Sequence, residues 1–184
     1  VGSVDNGLTA FNRNSTTGAI SFNETEINGT GGIEGLSVAQ NVIVSPDNQN
    51  AYVTDSFNGN LAVFQRDNIT NKMRFLEVHS DNQGGADGLS GATGIAMSTD
   101  GKFLYIASEF DDGVAVFSRG TSGALTFIEA QFDGIGGVTG LDGAIAVALS
   151  PDDKYVYVAS TRDDALVVFS RDTTTGQLTF LEFH

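Results

Sequence analysis

The chain has no cysteine, no tryptophan and only two prolines in 184 residues. Without thiols there is no disulfide scaffold, no thiolate metal site and no Cys nucleophile. Basic residues are scarce. Nine Lys and Arg stand against 23 Asp and Glu, a formal charge of −14. A surface of that sign repels nucleic-acid phosphates and anionic lipids, which argues against nucleic acid and membrane as partners. No apolar run approaches the length needed to span a bilayer. A serine nucleophile needs a positioned base, and neither of the two histidines, His79 and His184, sits in a context that suggests one.

What is present is a repeat. Phe11, Phe64, Phe117 and Phe169 recur at steps of 53, 53 and 52 residues. Phe22, Phe75, Phe127 and Phe180 recur at steps of 53, 52 and 53. The pairs Gly31-Gly32, Gly84-Gly85 and Gly136-Gly137 keep the same register. A period of this length across a whole chain marks an array of equivalent structural units.

Each unit reads as four short strands. In the last copy these are "GAIAVALS" (143–150), "YVYVAS" (155–160), "ALVVFSR" (165–171) and "QLTFLEF" (177–183). They are rich in Val, Tyr, Phe and Leu, with turn residues between them. Ser150-Pro151-Asp152-Asp153 has turn chemistry. In the third turn, between the third and fourth strands, Gly18, Gly123 and Gly176 align with Asn71. Asn is the residue that best replaces Gly where φ must be positive, so a left-handed residue is expected there.

The third strand is apolar on both faces, Leu166 and Val168 on one, Val167 and Phe169 on the other. Such a sheet must be covered twice. In the first strand Ile145, Val147 and Leu149 alternate with Ala146 and Ala148, a small side suited to crowding around an axis. The fold class expected is all-β, a β-propeller segment of four-stranded antiparallel blades. Three blades are whole, at about 38–81, 91–133 and 143–184. The last two strands of another lie within 1–29, and Val1-Gly2-Ser3 reads as the tail of its missing second strand.

"AYVTDS" (51–56), "YVYVAS" and the Ser-Pro-Asp turns resemble the YVTN-type repeats of lactonase-like seven-bladed β-propellers. WD40, kelch and quinone-binding blades lean on Trp, which this chain lacks. The resemblance implies a larger propeller, so the expected partners are the remaining blades of a longer chain or other subunits. A four-bladed assembly closed by a partner is the other reading. The resemblance also implies a possible hydrolysis of cyclic esters, but it carries over no catalytic residue.

Functional residues are expected on the face shared by the 2–3 turns and the blade-to-blade loops. The turns carry Asp5-Asn6, Asn58-Gly59, Asp111-Asp112 and Asp163-Asp164. The loops carry Glu34, Asp81, Asp87, Asp133 and Asp142. The plainer reading is that Asp and Asn close tight turns. The sharper one is a Ca²⁺ site using Asp5, Asp111, Asp112, Asp163, Asp164 and Asp133, although no EF-hand spacing occurs. At the channel entrance Gln40, Asn41 and Thr93 are candidate ligand contacts. There the alternative is that polar side chains simply meet water.

Sequons at Asn14, Asn23, Asn28 and Asn68 mark candidate glycosylation sites. About two would arise by chance in so Asn- and Thr-rich a chain. Together with the charge and the missing catalytic constellation they point to a non-catalytic, extracellular or secreted scaffold. It would serve recognition or adhesion, its acidic face binding Ca²⁺, a glycan or a protein. A lactonase-like hydrolase is the alternative.

Overall fold

A computed structural model describes residues 6–184; Val1–Asp5, and with them the candidate ligand Asp5 and the Val1-Gly2-Ser3 strand tail, lie outside the described residues. Among the described residues fourteen strands follow one another, with no helix between them. The first two, β1 (Gly7–Arg13) and β2 (Ile20–Ile27), form a two-stranded sheet. Three four-stranded antiparallel sheets follow in the order met along the chain. The first holds β3 (Ala39–Val44), β4 (Asn50–Asp55), β5 (Asn60–Arg66) and β6 (Met73–Ser80). The second holds β7 (Ala92–Met97), β8 (Phe103–Ser108), β9 (Gly113–Arg119) and β10 (Leu125–Phe132). The third holds β11 (Ala144–Leu149), β12 (Tyr155–Ser160), β13 (Ala165–Arg171) and β14 (Leu178–Phe183). The chain is therefore a partial β-propeller of three full blades preceded by the outer two strands of another.

The inner strands β3, β7 and β11 lie side by side around the axis. They approach closely. A Cβ on Gly94 would fall 2.8 Å from the Ala146 Cα and the Ile145 carbonyl oxygen, which explains a glycine inside β7. The small side expected of the first strand is real, since Ala146 and Ala148 face open space.

The repeated phenylalanines are cross-strand partners between the two outer strands: Phe64 pairs with Phe75, Phe117 with Phe127, Phe169 with Phe180. Their rings meet edge-on, with centroids 5.6, 5.5 and 5.9 Å apart. Bulges interrupt the register between the third and fourth strands of every blade. Cores form between blades as well as within them. Leu104, Ile106, Ala115 and Phe117 of the second full blade pack on Tyr52, Leu61 and Val63 of the first. Val156, Val158, Val167 and Phe169 of the third pack on Tyr105, Val114 and Val116. Each blade thus buries one apolar face on the blade before it and the other on the blade after.

Where a neighbour is missing, the same positions are bare. Phe11 is 53% exposed, while its equivalents Phe64, Phe117 and Phe169 are fully buried. At the other end of the arc Tyr155, Leu166 and Leu181 are exposed.

Polar bonds lock the seams. The Tyr52 hydroxyl donates to the Gly123 carbonyl at 2.9 Å and accepts from Arg119 Nε at 2.8 Å. Tyr105, Gly176 and Arg171 repeat this arrangement one blade on. Burial pushes both phenols up to about 12. A glutamate of each fourth strand accepts the amide that opens the next fourth strand. Glu77 takes Leu125 N at 2.7 Å, Glu129 takes Leu178 N at 2.6 Å, and Glu24 takes Met73 N. The turn between these strands has the predicted left-handed residue in all four copies, Gly18, Asn71, Gly123 and Gly176.

Candidate active site

The 2–3 turns and the blade-to-blade loops gather on one face, around the start of the inner strands. Two sets of bonds fix this face. Each long loop is closed near its start by a side chain that accepts a leucine amide: Asn28 from Leu36, Asp81 from Leu89, Asp133 from Leu141, at 3.1, 2.9 and 3.0 Å. The end of each loop is held by a carboxylate of the adjoining blade, Ser37 N to Asp55, Ser90 N to Asp111 and Asp142 N to Asp163. The turns themselves need a left-handed residue, supplied by Asn6, Gly59, Asp112 and Asp164. Much of the acidic ring therefore serves the backbone.

The five proposed cation ligands that lie among the described residues do not come together as a set. Asp133 and Asp163 are occupied by amides. Asp164 holds a turn conformation. Asp112 accepts the Gly143 amide at 2.8 Å and pairs with Arg162 at 3.1 Å. Only Asp111 joins a tight carboxylate group, and its partners are Asp81 and Asp87, with one oxygen from each within 4.8 Å of the others. Asp111 is pushed up to about 6, first by burial and then by the charges of Asp81 and Asp87, against the opposing pull of the Ser90 amide. Asp111 also shares a side-chain hydrogen bond with Asp81, which raises it further.

The turn that carries Asp111 is clasped to the loop before β7. Glu109 N, Phe110 N and Asp111 N donate to the carbonyls of Gly91 and Ser90. Gly91 has to be glycine, with φ +73° and with the Phe110 backbone 2.7 Å from where a Cβ would stand. The Phe110 ring is laid over it and stays 59% exposed. One blade on, Arg162 takes the corresponding place, its Cγ against Gly143. Its guanidinium is held by the Glu109 carbonyl, Asp112 and Asp142, at 3.2, 3.1 and 3.2 Å, with Glu109 Oε1 at 3.5 Å.

The channel candidates form a ladder across the inner strands. Asn41 donates to the Thr93 carbonyl, and Thr93 in turn donates to the Ile145 carbonyl, at 3.1 Å each. Gln40 reaches Ser56 at 3.0 Å. Asn23 and Asn28 spend their amide groups on Asn71 and Ser37. Asn14 caps its own turn and Asn68 is exposed. His184 is exposed beside Glu182, whereas His79 is half-buried with its ring edge-on to Phe117, 5.3 Å away. Neither histidine belongs to the site.

The blades and this face define a propeller of the lactonase type. A family profile described as "Lactonase, 7-bladed beta-propeller" matches residues 37–184, and the chain belongs to that family. The periplasmic gluconolactonase of Pseudomonas aeruginosa is 30% identical, with a TM-score of 0.69 over 82% of this chain and 40% of that one. The 6-phosphogluconolactonase of Bacillus subtilis is 24% identical over 77% of this chain and 39% of its own. A crystal structure of a Lactobacillus plantarum protein shares the fold at a TM-score of 0.79 and 23% identity, over 97% of this chain and 49% of that one. The chain spans about two fifths of the length of the curated relatives it matches.

The family overturns the expectation of a non-catalytic adhesion or recognition scaffold, and with it the reading as a calcium-binding glycoprotein. The lactonase-like alternative is the one it favours. The physical reason for the error is plain. The perturbed group on this face is neither a serine nor a histidine but a carboxyl, and its neighbours lie 24 and 30 residues before it in the chain.

Proposed function

We propose that this chain is part of a lactone hydrolase, with Asp111 as the general base. The supporting observation is a carboxyl with a pKa near neutrality on the loop face of a lactonase-family propeller. A group titrating close to working pH combines adequate basicity with adequate ionisation. Ionised Asp111 takes a proton from water as its oxygen adds to the lactone carbonyl carbon. The ring C–O bond then breaks, and the proton returns from Asp111 to the departing alkoxide. The product is the open hydroxy acid. The Ser90 amide fixes the orientation of Asp111, and burial, followed by Asp81 and Asp87, raises its basicity.

The test is a pH–rate profile of lactone ring opening. Activity rises with pH through about 6 as Asp111 ionises. Asp111→Asn lowers kcat by about 10²–10⁴-fold, the range typical of general bases, with the fold retained by circular dichroism. An Asp111→Asn protein of undiminished activity would overturn the assignment. We also infer a periplasmic or secreted setting, supported by likeness to the periplasmic gluconolactonase. Fractionation of the source cells tests it, and recovery from the cytoplasm alone would count against it.

A further inference from the structure

We infer that this site selects an uncharged, hydroxylated lactone and disfavours a phosphorylated one. The inference rests on the lactonase reading and adds the substrate class. Three features of this face carry it.

The first is charge. Carboxylates stand on every long loop and on two of the 2–3 turns, while Arg162 is the one cation among the described residues of these loops and turns. Arg162 is already held by Glu109, Asp112 and Asp142, so it has little positive field left for a phosphate. A dianion approaching Asp81, Asp87 and Asp111 meets repulsion, whereas a neutral ring does not.

The second is the aromatic rim. Phe57 and Phe110 occupy equivalent turn positions and are 75% and 59% exposed. Phe110 directly precedes Asp111 and is fixed over Gly91. An exposed ring held in place beside a reactive carboxyl is a platform for the C–H face of a saturated ring.

The third is a polar cleft of about 430 Å³ on the same face, lined by Ser37, Asn58, Asn60, Ser80 and Gln83 among others. Of its lining side chains only Glu34 is charged. Amides and hydroxyls both donate and accept, which matches sugar hydroxyls and offers nothing special to phosphate. Ser80 of the cleft immediately precedes Asp81 of the carboxylate trio in the chain.

The experiment compares ring opening of glucono-1,5-lactone with that of its 6-phosphate, at low and at raised salt. Binding of gluconate and of 6-phosphogluconate is measured in parallel by calorimetry. The expected kcat/KM ratio favours the neutral lactone by about tenfold or more and shrinks as salt screens the face. Phe110→Ala raises KM for the neutral lactone several-fold, with kcat and melting temperature little changed. Equal or better turnover of the phosphate overturns this inference and leaves the lactonase reading intact. If neither lactone is turned over but gluconate binds in preference to its phosphate, the selectivity stands and the catalytic reading falls. If neither binds nor reacts, both fall.

Discussion

Asp111 shows how position alone changes an ordinary carboxyl. Its folded pKa lies above its unfolded one, so the native state binds more protons than the unfolded state between about pH 4 and 6. Stability therefore falls as pH rises across that window. Asp81→Asn should relieve the strain. It removes one of the two neighbouring charges but keeps an oxygen for the Leu89 amide, as Asn28 does naturally for Leu36. Two outcomes are expected: a higher melting temperature at pH 7, and a downward shift of the inflection in the pH–rate profile. A melting temperature unchanged between pH 4.5 and 7.5 in both proteins would show that the three charges do not interact. In the sequence Asp111 was visible only as one turn aspartate among several. Nothing in its local pattern separates it from Asp163, which has no such acidic pair beside it. The distinction arises because the loop from Asp81 to Gly91 folds back over the Glu109–Asp112 turn, and that is a tertiary fact. The residues expected to hold Ca²⁺ are separated by the same tertiary facts: Asp133 and Asp163 each give an oxygen to a loop amide, and Asp112 pairs with Arg162.

The element that matters most is the seam between blades. Removing the Tyr105 hydroxyl as Tyr105→Phe leaves Arg171 Nε without its acceptor and the Gly176 carbonyl without its donor. Buried polar groups stripped of a partner cost about 1–3 kcal/mol each, and urea unfolding should show a loss of that order. Phe117→Ala should cost about 3–5 kcal/mol, because that ring fills the seam with the preceding blade. The same change at Phe11, whose ring is half bare, should cost under about 1 kcal/mol. Equal losses at the two sites would mean that the first seam is closed in solution. Strands and turns at this level were largely legible, because alternation and turn residues are local signals. Asn71 among three glycines was enough to place a left-handed residue, found at φ 59°. The seam bonds were not legible, since they join residues about 70 positions apart whose side chains have many other possible uses.

For the whole molecule the repeat was the decisive text. A period of about 52 residues with two apolar faces per strand leaves few solutions other than wedges around an axis. Function was the harder matter, because the recurring residues build blades and the differing ones carry chemistry. The overall charge of −14 has its own consequence. Like charges spread over one face oppose the compact state, so added sodium chloride should raise the melting temperature by screening them. A midpoint that falls with salt would mean that favourable ion pairs, such as Arg119 with Asp47, outweigh the repulsion.

The tyrosine–arginine seam has a polarity. At both seams between full blades the earlier blade presents its phenol and its glutamate, and the later one reaches back with its guanidinium and its fourth-strand amide. Units joined in this sense are interchangeable: excise the second full blade whole, and Arg171 would meet Tyr52 in place of Tyr105. A unit inserted back to front would set guanidinium against guanidinium. Such an architecture can lengthen or shorten by complete repeats without any new contact having to be invented.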